Sequence, residues 1–348
     1  MTASEIVLYG AAGYTGRLIA QRALSRGLRL TLAGRGSPRL SQLGEQTGFA
    51  VREAALDDAR ALSALLSGAR VLLNAAGPFS STAAPLWAAC MKARVSYLDL
   101  TGEVDVLEQA ALQHAAARAA GIMLMPAVGF DVVPSDCLAS LLARRLPRAR
   151  ALHLAFSGLE HFSRGSALTM LQCAGRPVRA RRRGRLVAAS GGQLQSVDFG
   201  SGPRAVCAVD WGDLVSAYFT TGVSDVTTYF EATPALRASL WGRLPVWAPL
   251  QGWARELSQT LPEGPSAPQR ARSRCVLAAI AELPDGSRAS LRCETPDVYD
   301  FSADAACEIA GRVARGDYEA GFQTPARVYG PELLAALSGT RLGEVVYA

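Results

Sequence analysis

The first 39 residues constrain the chain more than any other stretch. Ser4-Glu5-Ile6-Val7-Leu8-Tyr9-Gly10 is a short apolar run that stops at a glycine. Gly10-Ala11-Ala12-Gly13-Tyr14-Thr15-Gly16 follows, Arg17 to Arg26 reads as a helix, and Leu28 to Ala33 is a second apolar run. Strand, glycine turn, helix, strand is the layout that sets a dinucleotide pyrophosphate on a helix N-terminus. The spacing G-x-x-G-x-x-G is a variant of the G-x-G-x-x-G fingerprint, and its place between a first strand and a helix gives it meaning. It predicts Gly10, Ala12, Gly13, Tyr14, Thr15 and Gly16 around a pyrophosphate.

The end of the second strand selects the nucleotide. Readers of NAD place a carboxylate about 20 residues past the glycines, on the ribose hydroxyls. Arg35 stands there instead. A guanidinium forms a forked, charge-assisted pair with a 2′-phosphate, which a carboxylate would repel. Ser37 and Arg39 add donors, so the expected cofactor is NADP(H).

Downstream, strands and helices alternate. Phe49 to Glu53 reads as strand three, with Leu56-Asp57-Asp58 beyond it and Asp57 placed for the adenosine. Arg70 to Asn74 is an apolar fourth strand, as a sheet covered on both faces requires. Its loop, Asn74-Ala75-Ala76-Gly77-Pro78, is small enough for close approach to the ribose and nicotinamide half of the cofactor. Ser81 to Ala93 is helical. Val95 to Leu100 is strand five, ending in Thr101-Gly102-Glu103, and Val104 to Ala120 is a long helix. Gly121 to Pro126 is strand six, with Gly129-Phe130-Asp131 in its loop and a helix from Asp136 to Arg145. This alternation predicts an α/β fold with a Rossmann-type doubly wound parallel sheet.

The pattern changes after Arg150. Leu152 to Ser157, Arg185 to Ala189, Leu194 to Phe199, Ala205 to Val209, Val226 to Glu231, Arg274 to Glu282 and Arg288 to Glu294 read as strands. Pro284-Asp285-Gly286-Ser287 is a hairpin signal between the last two. The expected organisation is a nucleotide-binding domain over 1–150, an inserted α+β domain with an antiparallel sheet over 151–300, and C-terminal helices over 301–348 that pack back on the first domain.

The 348 residues are 49% hydrophobic and 19% charged, as a globular protein requires. Net charge is +6, but Lys92 is the only lysine among 36 basic residues, and no nucleic-acid-binding module motif appears. Seven dispersed cysteines without C-x-x-C and three scattered histidines predict reduced thiols, a cytoplasmic location and no metal site. No apolar run approaches the length of a membrane span.

Several stretches together resemble the saccharopine dehydrogenase-like oxidoreductases, and within them the trans-acting enoyl reductases of polyketide lipid assembly. They are Gly10 to Gly16, Leu32-Ala33-Gly34-Arg35, Asn74 to Phe79, Tyr97 to Glu103 and Gly129 to Asp136. Asp210-Trp211-Gly212-Asp213, Thr295-Pro296-Asp297 and Gly321-Phe322-Gln323-Thr324-Pro325 also fit. The resemblance implies an NADP-binding Rossmann domain with an inserted domain that closes over the nicotinamide, and reduction of C=C or C=N bonds.

Reduction by hydride needs a group that supplies one proton. The Tyr-Lys pair of short-chain reductases is absent, because residue 88, four before the single lysine, is alanine. Loop carboxylates and a tyrosine remain: Asp131, then Tyr97, then Glu103. Asp99, two residues from Tyr97 on one strand face, is expected along the cofactor's path. The run Arg176, Arg179, Arg181, Arg182, Arg183 and Arg185 reads as a solvated hairpin or, more sharply, as a dock (Arg179–Arg185) for an acidic acyl carrier protein. Trp241, Trp247 and Trp253 lie in one apolar segment that suits a substrate pocket, a membrane surface or a homodimer interface. The leading reading is an NADPH-dependent enoyl thioester reductase. The rivals are an imine reductase acting on amino-acid-derived substrates and a non-catalytic NADP-binding sensor.

Overall fold

The computed structural model describes residues 5–159, 161–166, 177–189, 195–233 and 262–348. The chain divides into two compact units: 1–137 with 299–338, and 138–298 with 339–348. The tryptophan-bearing segment, Cys173 and Arg176 lie outside the described residues.

The first unit is built on six short strands: β1 Ile6–Tyr9, β2 Leu30–Gly34, β3 Ala50–Glu53, β4 Val71–Asn74, β5 Ser96–Asp99 and β6 Met123–Met125. A seventh, β15 Gly321–Phe322, comes from far down the chain. Their order is β15-β6-β5-β4-β1-β2-β3, all parallel. β1, β2, β4, β5 and β6 are buried along their whole length, and β1, β4 and β6 are the most apolar of them, as strands covered on both faces are. β3 is exposed throughout, an edge strand with charged side chains. From β1 the chain winds first through β2 to β3 and then returns to β4 on the other side. The switch point of this parallel sheet therefore lies between the carboxyl ends of β1 and β4.

Seven helices connect the strands of this half: α1 Tyr14–Ser25, α2 Pro38–Thr47, α3 Ala59–Leu66, α4 Phe79–Ala93, α5 Val104–Leu112, α6 His114–Ala120 and α7 Val133–Arg145. Ser37 caps α2, accepting a hydrogen bond from Leu40 N at 3.3 Å, and Asp58 caps α3 through Arg60 N and Ala61 N. Several boundaries differ from the sequence expectation, three of them in the helices after β4, β5 and β6. The long helix from Val104 breaks at Gln113, which leaves helical geometry with ψ near 1°. α4 begins at Phe79, so Pro85 sits inside it. α7 begins at Val133, because the Asp136 carboxylate is used elsewhere: its Oδ2 accepts from Ala326 N at 2.8 Å.

The helix Val298–Ala314 is anchored to α1. Arg26 donates to Asp304 at 2.9 Å and to Glu308 at 2.8 Å, and the Cys307 thiol donates to the Ile19 carbonyl.

The second unit is one mixed sheet. Its strands are β7 Ala151–Ser157, β8 Arg179–Arg182, β9 Arg185–Ala188, β10 Gln195–Asp198, β11 Pro203–Val209, β12 Asp225–Glu231, β13 Arg274–Glu282, β14 Arg288–Pro296, β16 Arg341–Leu342 and β17 Val346–Tyr347. The main order is β10-β11-β12-β7-β13-β14-β16. It is not fully antiparallel: β12 and β7 run parallel, from Asp225↔Ala151 to Phe230↔Phe156. A parallel pair needs a long crossover between its strands, which alternation within single strands does not reveal. One face buries Leu152, Leu154 and Phe156 with Phe230, and Trp211 stacks edge-on to Phe230 at 4.8 Å. The other buries Ala155, Val197, Phe199, Val206, Tyr229 and Ala278.

Candidate functional site

Each glycine of the turn meets different surroundings. Gly10 has φ +79°, and a Cβ there would stand 2.7 Å from Ala76 N and 2.9 Å from the Ala75 carbonyl carbon. The glycine thus lets the β4 loop lie directly on the β1 turn. A Cβ at Gly16 would stand 2.4 Å from the Gly10 carbonyl, so this glycine lets α1 close against the turn. Gly13 meets nothing closer than that same carbonyl at 3.3 Å. It is exposed, it caps α1 with no side-chain hydrogen bond, and no acidic residue lies in the first turn. This is an N-terminus left clear for an anion. Arg17 braces the turn through Ala12 O at 2.7 Å, a contact that only the folded loop reveals.

Arg35, Arg39 and Asp57 are exposed at the carboxyl ends of β2 and β3, beside Ser37 at the start of α2. Both Arg35 and Asp57 act electrostatically on the Tyr9 hydroxyl, which donates to Ala54 O at 2.9 Å. Burial is the larger influence and raises the Tyr9 pKa. The Glu53 carboxylate lies over Gly36, where a Cβ would meet its Oε2 at 2.4 Å. Glu53 thus shares the Arg35-Gly36-Ser37 turn.

At the other end of the crevice the loops after β4, β5 and β6 are stitched together by side chains. Asn74 is fully buried. Its Nδ2 donates to Thr82 Oγ1 and to the Tyr97 hydroxyl, both at 3.0 Å, and its Oδ1 accepts from Ala76 N at 2.9 Å. Tyr97 donates to Asp99 Oδ2 at 2.9 Å. Asp99 Oδ1 accepts from both Thr101 N and Ala127 N, each at 2.9 Å. Asn74, Tyr97 and Asp99 all have no exposed surface. Tyr97 and Asp99 are thus enclosed beneath the loops after β4, β5 and β6. Of the β4 loop, Ala75 to Pro78 are half-buried or exposed, whereas Asn74 is fully buried.

Glu103 also has a fixed task. Its carboxylate accepts from Phe79 N at 2.8 Å and Ser80 N at 3.1 Å, closing the N-terminus of α4.

Asp131 is the remaining candidate. It is half-buried after β6, and its carboxyl lies against the turn after β5, where a Cβ at Gly102 would stand 2.8 Å from Oδ2. Ser302, on the helix Val298–Ala314, steadies this loop by accepting from Phe130 N at 2.9 Å. Burial raises the Asp131 pKa to about 7 and that of Asp99 to about 6; for Tyr97, burial first and the nearby Asp99 charge second push the pKa well up. Asp131 is thus a carboxyl that keeps a proton near neutral pH. Ser302 and Thr82 carry no sequence signal, since each matters through partners it meets only in the fold.

The arginine cluster of the second unit is largely spoken for. Arg179 pairs with Asp210 at 2.7 Å. Arg181 is buried, donates to the Leu214 and Gly184 carbonyls, and lies 4.6 Å over the Tyr218 ring. Arg183 and Gly184, with φ of +48° and +76°, make the tight turn between β8 and β9. Among the described arginines of the run, only Arg182, Arg183 and Arg185 are exposed.

A parallel sheet with a glycine turn at its switch point defines a nucleotide-binding domain. Residues 6–125 match the family model described as "Saccharopine dehydrogenase NADP binding domain". Over these residues the chain is similar to the NADP-binding domain of saccharopine dehydrogenase. Among curated proteins, the trans-acting enoyl reductase of Mycobacterium leprae is 39% identical over 150 residues, 41% of this chain and 36% of that protein. The enzyme of the same name from Mycobacterium ulcerans is 38% identical over 149 residues. The match thus spans little more than a third of these relatives' length. Saccharopine dehydrogenase (L-Glu forming) from Saccharomyces cerevisiae shares the fold over 99% of this chain, with a TM-score of 0.67 at 10% identity. Among the described residues, no helix is long and apolar enough to cross a membrane.

Proposed function

We propose that the protein is an NADPH-dependent reductase of an enoyl thioester; the name of its relatives, trans-acting enoyl reductase, states enoyl reduction for them. The observation that carries the reading is the Asp131 carboxyl, which holds a proton near pH 7 at the end of the same strand row that begins at the glycine turn.

The residues present fit the cofactor. The cradle at Gly13 accepts a pyrophosphate, and Gly10, Ala12, Tyr14, Thr15 and Gly16 shape it. Arg35, Ser37 and Arg39 would hold the 2′-phosphate and Asp57 would serve the adenosine. The Ala75–Pro78 loop would hold the ribose and nicotinamide half. When bound, NADPH supplies hydride to the β carbon of the activated double bond. Asp131 holds the proton that the α carbon requires and recovers it from solvent afterwards. Tyr97, Asp99, Asn74 and Glu103 fix the loops around Asp131 and do not touch the substrate.

"Trans-acting" in the relatives' name points to a substrate delivered by another protein, and Arg182, Arg183 and Arg185 offer the exposed positive charge for an acidic carrier. The test is NADPH oxidation with a crotonyl-type thioester and with amine–ketone mixtures. Turnover on the thioester alone, abolished in Asp131→Asn with NADPH binding retained, supports the reading. Turnover on the imine mixture alone overturns it in favour of C=N reduction.

A further inference from the structure

Ala127 is the one alanine among the described residues with a positive φ, +62°. It is 1% exposed and follows Pro126 at the start of the loop that ends in Asp131. Alanine avoids this left-handed conformation, which glycine adopts freely. Such a residue persists only where its surroundings over-determine it. Here they do. Ala127 N donates to Asp99 Oδ1 at 2.9 Å, and the next amide, Val128 N, donates to the Asp99 main-chain carbonyl at 2.7 Å.

The same carboxylate oxygen, Asp99 Oδ1, also accepts from Thr101 N at 2.9 Å. Thr101 leads directly into Gly102, against which the Asp131 carboxyl rests. One oxygen atom therefore holds both walls of the Asp131–Gly102 contact. The other oxygen, Oδ2, is tied through the Tyr97 hydroxyl to Asn74 and so to the amide of Ala76 in the β4 loop.

We propose that Asp99 is the positioning residue for Asp131: its Oδ1 clamps the left-handed Ala127 turn and the Thr101 turn together, and thereby seats the Asp131 carboxyl against Gly102. The inference rests on the reading of Asp131 as the proton-holding group.

The test follows the side-chain carboxyl signal of Asp131 by carbon-13 NMR in the full chain, without cofactor or substrate. Asp99→Asn keeps an oxygen for the two amides and removes the charge, so Asp131 should titrate with the wild-type midpoint. Asp99→Ala removes the clamp, and the midpoint should fall by about two pH units toward the ordinary aspartate range. Adding Ala127→Gly relieves the strain that the clamp opposes, so Asp99→Ala/Ala127→Gly should recover at least half of that shift. An unchanged midpoint in Asp99→Ala, or no recovery with glycine, overturns the proposal. If Asp99→Ala alone does not fold, Asp99→Ala/Ala127→Gly is compared with Ala127→Gly. A folded double variant with a midpoint close to that of Ala127→Gly supports the clamp, and one that does not fold overturns it. Because no turnover enters the measurement, a failed reductase assay leaves this result standing, and the reverse holds as well.

Discussion

Replacing Asp131 by asparagine should cost turnover and raise stability at alkaline pH. The Asp131 pKa is about 7 in the folded chain against 3.8 for an ordinary aspartate, and burial is the cause. The folded state therefore binds this proton more tightly than the unfolded state does. The sign follows: wild-type stability carries no penalty from Asp131 below pH 3.8, declines as pH rises through the window up to 7, and is fully penalised above it. A shift from 3.8 to about 7 corresponds to a ceiling of about 4 kcal/mol. Asp131 keeps some solvent access, and screening there reduces the ceiling to roughly 1–3 kcal/mol. Asparagine has the same shape and no charge to desolvate. Urea unfolding of both proteins at steps from pH 5 to pH 8 is the assay. Asp131→Asn should gain on the wild type steadily up to about pH 7, with the gap flat beyond it. A gap that does not change across this range would refute the argument that Asp131 is a buried, proton-retaining carboxyl. Turnover of the variant should fall roughly 10²–10⁴-fold if the carboxyl supplies the proton.

Other perturbations test other parts of the molecule. Gly10→Ala adds a side chain to a φ of +79° and drives it into the Ala75–Ala76 backbone, costing about 2–5 kcal/mol by unfolding and abolishing NADPH fluorescence enhancement. Arg35→Ala should weaken NADPH roughly 10- to 100-fold in fluorescence titration and leave NADH unchanged, whereas equal weakening would remove Arg35 from the 2′-phosphate site. Glu53→Gln removes a negative charge from the Arg35-Gly36-Ser37 turn and should tighten NADPH severalfold without affecting NADH. Arg181→Ala strips the donors from the Leu214 and Gly184 carbonyls and uncovers the Tyr218 ring, which should cost about 2–4 kcal/mol in thermal or urea unfolding.

The nucleotide half of the fold was legible because each signal there is local. Apolar strands ending in small-residue turns, and helix caps such as Ser37, depend on neighbours a few residues away. The limits of legibility have the same origin. Tyr97 looks like an acid beside Asp99, yet its hydroxyl is turned into a buried network that begins at Asn74, a partner 23 residues distant. Glu103 looks equally available until Phe79 N and Ser80 N are seen to occupy it. The charge run at Arg179–Arg185 reads as a solvated face, but the fold brings Asp210 and the Leu214 carbonyl to it from outside the run. β15 is two residues long and has no periodicity to detect.

That last strand has a consequence for how the protein is made. The sheet edge at β6 is completed only by Gly321–Phe322, and α1 meets its Asp304 and Glu308 partners only from the helix Val298–Ala314. On a ribosome adding about 5–20 residues per second, these pieces emerge some tens of seconds after β6. During that interval the nascent nucleotide domain presents an unpaired strand edge while the second unit is being synthesised. The first unit is therefore completed only after most of the second has been synthesised, and the N-terminal 137 residues expressed alone should associate through that bare edge.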